Sequence, residues 1–413
     1  IIITLLSICS MSVSVAQTTN IPDAVFEDYL ETHDQEGTVV EVGDSSSMGD
    51  GTLGNGLVLT NRINSVILLN INDLGILDLT GIEDFIGLEN LLCSNNDLVS
   101  LDISSNTNLI SLACGSNSLT DLIIDSNANL ESLDCSDNQI QSINLTNNNA
   151  LKSLTASGNQ IQSIDVSSNT ELSFLSLSNN RIVGNLVVRN NTNLESLFFA
   201  SNQITNINLL NNTLLRNLDA SDNALLSLDL SAINSVECPE PQTDPVTPCQ
   251  STSSVNVSNN LLNALVLANG FNDLISIFNA SDNPDLFCIQ IDAGFTPNGW
   301  LKDDWAYYSE NTCVDIFTYV PDDNFEQALI DQGYDDILDN LVLTANIESL
   351  TSLDVSNASI SSLVGIEDFS ALEILNCNIN TIENIDLSAN TSLLELDASD
   401  NDLSVLDLSS NIA

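Results

Sequence analysis

Apolar residues recur along this chain with a period far longer than that of a helix face. From Leu88 they stand at Leu88, Leu91, Cys93, Leu98, Leu101 and Ile103, which are places 1, 4, 6, 11, 14 and 16 of a 21-residue unit. The frame Leu-x-x-Leu-x-(apolar)-x-x-Asn-x-(apolar) returns in Leu130-Glu-Ser-Leu133-Asp-Cys135-Ser-Asp-Asn138-Gln-Ile140. Asn96, Asn117, Asn138, Asn159, Asn180, Asn202 and Asn223 mark place 9, at steps of 21 with one step of 22. Places 4 and 6 point inward from a short strand, so places 3 and 5 point outward. One coil buries too little apolar surface to offset the ordering of its backbone, and only stacking on neighbours closes the deficit.

This period and frame predict a leucine-rich repeat solenoid, an α/β-type horseshoe with short parallel strands on the concave face and a mostly non-helical convex side. The Asn at place 9 has a physical reason. It stands where the chain leaves the strand and turns, and its amide can both donate to and accept from turn backbone. An Asp there could not donate, and it would stack like charges about 5 Å apart on successive coils, a repulsion of about 3 kcal/mol at an effective dielectric of about 20. A second column at place 19 holds Asn106, Asn127, Asn148, Asn169, Asn191 and Asn212. Both columns are expected to be structural ladders rather than ligand contacts.

The chain carries its beginning twice. Ile21-Pro-Asp-Ala-Val-Phe26-Glu27 is echoed by Val320-Pro-Asp-Asp-Asn-Phe325-Glu326, each expected to be a short helix with Pro in its first turn and Phe on its buried face. Leu57-Val-Leu-Thr60 matches Leu341-Val-Leu-Thr344, and Gly81-Ile-Glu-Asp-Phe85 matches Gly365-Ile-Glu-Asp-Phe369. Two tandem domains are expected, the second truncated. Residues 1–16 read as an incomplete signal peptide, 17–65 as an N-terminal helical cap and 66–285 as repeats with a Cys-bounded insertion at 237–250. Residues 286–316 read as a C-terminal cap rich in aromatic residues, 317–349 as a second N-terminal cap and 350–413 as the second repeat domain.

Composition narrows the partners. Fifty-seven acidic residues face six basic ones, for a formal charge of −51. So few cations could not neutralise phosphates, and nucleic acid and an anionic membrane surface are excluded as partners. No stretch is long enough to span a membrane. At place 15 the residues Asp102, Ile123, Asn144, Asp165, Val187, Asn208 and Asp229 keep acids off adjacent coils, whereas Asp386 and Asp407 in the second copy are adjacent. Export would permit disulfides. Cys93, Cys114, Cys135 and Cys377 fall at the inward place 6 and read as small apolar residues. Cys238 with Cys249, and Cys288 with Cys313, lie outside the frame and are expected to form two local disulfides.

The Leu-x-x-Leu-x-Cys-Ser-x-Asn frame and the Gly-Ile-Glu-Asp-Phe repeat resemble internalin-like leucine-rich repeat proteins. The Val-Pro-Asp-Asp-Asn-Phe-Glu start and the Cys-bounded end look like the secreted versions common in marine gliding bacteria. That resemblance implies a long surface or released protein, exported by type IX secretion. It covers nearly all of residues 20–413 and is specific for fold but not for function, since such repeats bind unrelated partners.

The residues offer little chemistry. The single histidine, His33, stands in the first cap with no nucleophile pattern around it, and no phosphate loop, metal-spaced His/Cys set or nucleophile elbow occurs. Asp44, Asp50 and Asn55 lie in a Gly-rich insertion that does not fit calcium-loop spacing. No enzyme, metal or cofactor is expected. The outward places are more informative. Place 3 is mostly Ser (Ser111, Ser132, Ser153, Ser196) but is interrupted by Phe174, and Phe198 takes place 5 on the next coil. Lys152 and Arg216 flank the rings at place 2, with Glu131, Asp134, Glu195 and Asp219 around them. Four of the six basic residues fall between Lys152 and Arg216. The expected function is non-enzymatic recognition of a protein or polysaccharide through the concave face, by a secreted or cell-surface protein. The alternatives are a passive spacer in a large adhesin, or an accessory region of a secreted hydrolase whose catalytic domain lies elsewhere.

Overall fold

The computed structural model describes residues 17–233, 253–311, 313, 317–335, 337–338 and 340–412. The expected leader (1–16) and the Cys238–Cys249 pair lie outside these described residues. The chain divides into two compact units after Asn311.

In the first unit, places 3 to 5 of the coils from Leu88 to Asp219 form three-residue strands whose middle residue is buried, and the later strands Ser253–Asn256, Ile275–Ala280 and Leu301–Lys302 vary in length. Successive strands pair in parallel and in register, for example Leu133 opposite Leu154 and Leu154 opposite Leu175. Eleven strands in all make one sheet, from Leu68–Asn70 to Leu301–Lys302. Strand content is not confined to that side. Val183–Leu186 pairs with Gln203–Ile207, and Ser227–Asp229, Ala264–Val266, Cys288–Gln290 and Tyr307–Ser309 form a second parallel sheet. Within residues 286–311 the chain thus continues the winding, extending both sheets, while it also carries the aromatic cover. Cys288 and Cys313 are disulfide-bonded.

The place-9 amides hold the coils together. Asn159 donates through Nδ2 to Ala156 O (3.2 Å) and Ser157 O (3.2 Å) of its own turn and to Cys135 O (2.9 Å) of the preceding coil. Its Oδ1 accepts the Ile140 N–H, also on the preceding coil, at 3.0 Å. The same set recurs at Asn117, Asn138, Asn180, Asn202 and Asn223. Each amide therefore ties one turn to the next, as the frame predicts. The place-19 column is a second ladder: Asn148 donates to Ile124 O (3.1 Å) and Asn127 O (2.9 Å). The turn before each place-9 Asn needs left-handed backbone. Asn95, Asp137, Gly158 and Asn179 have φ between 51° and 67°, residue types that tolerate that region, and Ser116 adopts it as well at φ 53°. In the second unit Ile379 occupies this place with φ 54°, and its side chain is exposed.

Both units begin alike. Helix Ala24–Thr32 is capped by Asp23, whose Oδ1 accepts from Val25 N and Phe26 N. Helix Asp323–Asp331 is capped by Asp322, bonded in the same way to Asn324 N and Phe325 N. Pro22 and Pro321 therefore precede the cap rather than sit in the first helical turn, because the aspartates claim the N-terminal amides. Phe26 stacks on Phe85 at 6.2 Å and Phe325 on Phe369 at 6.3 Å, all four buried. Gly81 and Gly365 both have φ 102°, and a Cβ on either would stand 2.7 Å from a backbone oxygen of the cap strand, Asn20 O or Tyr319 O. Only glycine fits there. In the second unit three strands, Ser352–Asp354, Ile374–Asn376 and Glu395–Asp397, repeat the parallel register.

Four cysteines, Cys93, Cys114, Cys135 and Cys377, are free and buried. Burial pushes the Cys93 and Cys135 thiols up to about 12 and that of Cys377 to about 11. They pack in the core as small apolar residues do, and burial disfavours the thiolate that a nucleophile or a metal ligand needs.

Asn159→Ala should lower unfolding free energy by about 1–3 kcal/mol, since it leaves buried turn groups unpaired. Asn159→Asp should cost more because the carboxylate would face three carbonyls; denaturant titration measures both. Native protein at pH 8 should leave Cys93, Cys114 and Cys135 unmodified by iodoacetamide, as read by peptide mapping, until denaturant is added. Ile379→Asn should slow hydrogen exchange in the strand Ile374–Asn376, since relieving left-handed strain of about 1–3 kcal/mol stabilises its coil.

Candidate recognition surface

Two rows of side chains run along the open face of the eleven-stranded sheet, one from place 3 and one from place 5. Phe174 lies in the first row between Ser153 and Ser196, and Phe198 in the second between Ser176 and Asp219. Their ring centroids are 5.6 Å apart with planes inclined at 54°. The spacing places them diagonally on adjacent coils, as the sequence implies. Neither ring projects fully into solvent: each is half-buried, because the other covers one of its sides.

The charged residues around them divide into two sets. Glu195, Arg216 and Asp219 lie on the coils of Phe198 and its neighbour, where Arg216 N donates to Glu195 O at 2.8 Å. Lys152 pairs with Glu131 at 2.8 Å, the one ion pair among the described residues. The pair is about half exposed at both ends and so adds little stability. Asp134 stands four coils from Asp219 in the same row, and its carboxylate accepts from Ser136 N (3.0 Å) and Ser136 Oγ (2.7 Å). Clustering of cations in sequence does not become clustering in space. Arg181 and Arg189 are exposed at places 10 and 18, off the sheet face. Asp219 is better placed: its Oδ1 accepts from Ser221 N, Ser221 Oγ and Asn256 Nδ2 at 3.2, 2.6 and 3.1 Å, leaving Oδ2 for a ligand.

Beyond Asp219 the face holds residues that the frame does not reveal. Ile277 (62 % exposed) and Leu301 (58 % exposed) line a shallow groove of about 410 Å³ that starts at Phe198. They escape notice because the coil spacing lengthens there. Asn217 pairs with Ser254 and Ser254 with Ile277, steps of 37 and 23 residues.

Other candidates serve the scaffold. His33 stacks on Tyr29 at 4.0 Å, with Nδ1 2.9 Å from Tyr29 O. Glu27 accepts the N–H groups of Gly54, Asn55 and Gly56, and Glu31 those of Asp50 and Gly51, so the Gly-rich insertion is pinned to the cap helix. Asp44 and Asp50 are engaged in turns of that insertion, accepting from Ser46 and from Thr52 and Asn55. The two bonds from Ser46 hold the Asp44 carboxyl below its usual range. Trp300 packs between Phe278 (4.5 Å) and Phe295 (5.0 Å) and donates to Ile275 O, closing the core rather than offering a sugar platform. Among the described residues no three His, Cys, Asp or Glu side chains converge as metal ligands, and no helix is long and apolar enough to cross a membrane.

No protein-family model matches the chain, and no curated relative matches it. Solved structures do. The functional domain of InlJ from Listeria monocytogenes, which includes a cysteine ladder, aligns with a TM-score of 0.54 at 22 % identity, over 96 % of this chain and 74 % of that one. The internalin inlF from the same organism aligns at 18 % identity over 95 % and 94 % of the two chains, with a TM-score of 0.47. YopM, a leucine-rich effector protein from Yersinia pestis, aligns at 19 % identity over 83 % and 80 %, with a TM-score of 0.42. The in-register parallel strands, the Asn ladders and the likeness to InlJ together make this chain a leucine-rich repeat solenoid of internalin-like fold.

Proposed function

We propose that the chain is a non-enzymatic recognition protein, secreted or displayed at a cell surface, which binds a protein partner through the open face of its eleven-stranded sheet. The observation that carries this reading is the Phe174–Phe198 pair. Its two rows otherwise present mostly Ser, Thr, Asn and Asp between Ser111 and Asn256. Two aromatic rings on such a polar face pack on each other while each stays partly open to solvent, and paired, partly exposed aromatics are typical anchors of interfaces. A solenoid offers an extended rigid surface on which such anchors are already ordered. The disulfide-bonded Cys288 and Cys313 support an oxidising location.

The test is Phe174→Ala with Phe198→Ala in the full chain, screened beside the unaltered chain against immobilised proteins and polysaccharides. Protein ligands of the unaltered chain should bind the double variant at least about tenfold more weakly, equivalent to about 1.4 kcal/mol. The unfolding free energy should fall by only about 0.5–1.5 kcal/mol for the lost ring contact. Undiminished binding would remove the pair from the interface, and a collapse of stability would make it core.

A further inference from the structure

Taking the open sheet face as the recognition surface, we propose that its groove beyond Phe198 takes an extended, cationic polypeptide segment with apolar residues at both ends. The place-5 row reads Phe198, Asp219, Asn256, Asn279 and Leu301 on successive strands, with Ile277 beside Asn279 in the neighbouring row. An apolar residue thus closes each end of the groove, and an acid and two amides lie between. At about 4.8 Å per strand the row spans roughly 19 Å, the length of about six extended residues. Phe198 can anchor one apolar side chain, and Ile277 with Leu301 a second about five residues on.

Charge selects what lies between the anchors. Asp219 Oδ1 is already occupied by Ser221 and Asn256, so Oδ2 is free for one incoming donor about one strand from Phe198. The nearby basic groups do not satisfy it. Neither Arg216, three residues before it on the same coil, nor Lys302, which donates to Asp303 O at 3.0 Å and lies over the Tyr308 ring, makes an ion pair with Asp219 among the described residues. In a chain of net charge −51 the ligand must bring the cation. An acidic segment would be repelled, and a neutral glycan could donate hydroxyls to the carboxylate but would bring no charge to balance it and would set polar groups over the exposed aliphatic side chains. An Arg or Lys one or two residues after the first apolar anchor meets both demands.

The experiment uses the full chain at 0.15 M sodium chloride and three probes. One is a fluorescein-labelled peptide, Leu-Arg-Ser-Ser-Ser-Leu; another replaces its Arg with citrulline; the third is cellohexaose. Saturable anisotropy is expected for the Arg peptide, with at least tenfold weaker binding of the citrulline peptide. Asp219→Asn, which keeps an acceptor for Ser221, should weaken the Arg peptide at least fivefold and leave the citrulline peptide unchanged. Ile277→Ser with Leu301→Ser should weaken both peptides, whereas Asp229→Asn, on the opposite sheet, should change neither. Equal losses from Asp219→Asn and Asp229→Asn would overturn the proposal in favour of diffuse attraction, and so would binding of cellohexaose alone. Loss with Phe174→Ala and Phe198→Ala but not with the groove variants would overturn the groove while keeping the recognition face.

Discussion

One side-chain amide, repeated, governs this molecule. A strand of three residues cannot persist alone, and the turn that follows it leaves carbonyls pointing into the interior. The place-9 Asn meets three of those carbonyls with its NH₂ group and takes an amide of the preceding coil on its oxygen, so that each turn is closed only when its neighbour is present. Local geometry and stacking are thereby one event, which is why stability in such a solenoid builds between coils rather than within them. Strand register, the two outward rows and the position of every candidate binding residue follow from it.

Much of this is legible in the sequence because it repeats. The 21-residue frame names the buried places, the strand, the outward places and the ladder, and the doubled Pro-Asp and Gly-Ile-Glu-Asp-Phe segments name the caps. What is not legible lies where repetition fails. The second sheet on the far side is one example. Places 11, 14 and 16 are apolar in either a strand or an irregular turn, so their pattern does not distinguish the two. The pattern also sets Pro22 and Pro321 in the first turn of their helices, whereas they stand just before the caps, because Asp23 and Asp322 take the capping role. Ile277 and Leu301 stay hidden because the coils past residue 233 no longer keep step.

The candidate surface is legible to a similar degree. Phe174 and Phe198 stand out only against rows of small polar residues, and sequence places them on adjacent coils without showing that each half-buries the other. The cluster of basic residues misleads for a plain reason. Proximity along a solenoid coil carries a residue from one face to the opposite one within about ten positions, so Arg181 and Arg189 leave the face that Lys152 and Arg216 border. What remains on the face is acidic, with Asp219 holding a free oxygen beside Phe198.

The central claim, that the amide ladder couples each turn to the next, is tested most directly by hydrogen exchange of the amides it captures. Leu119, Ile140 and Ile161 each donate to the Asn of the following coil at 2.9 to 3.0 Å. Their exchange should match the slowest, globally unfolding amides of the strands in the first unit, and it should stay slow while those of Gln141 and Gln162, one place on, exchange quickly. Equal and rapid exchange of both sets would contradict the claim: the ladder would then close its turns only loosely, and core packing alone would hold the coils together.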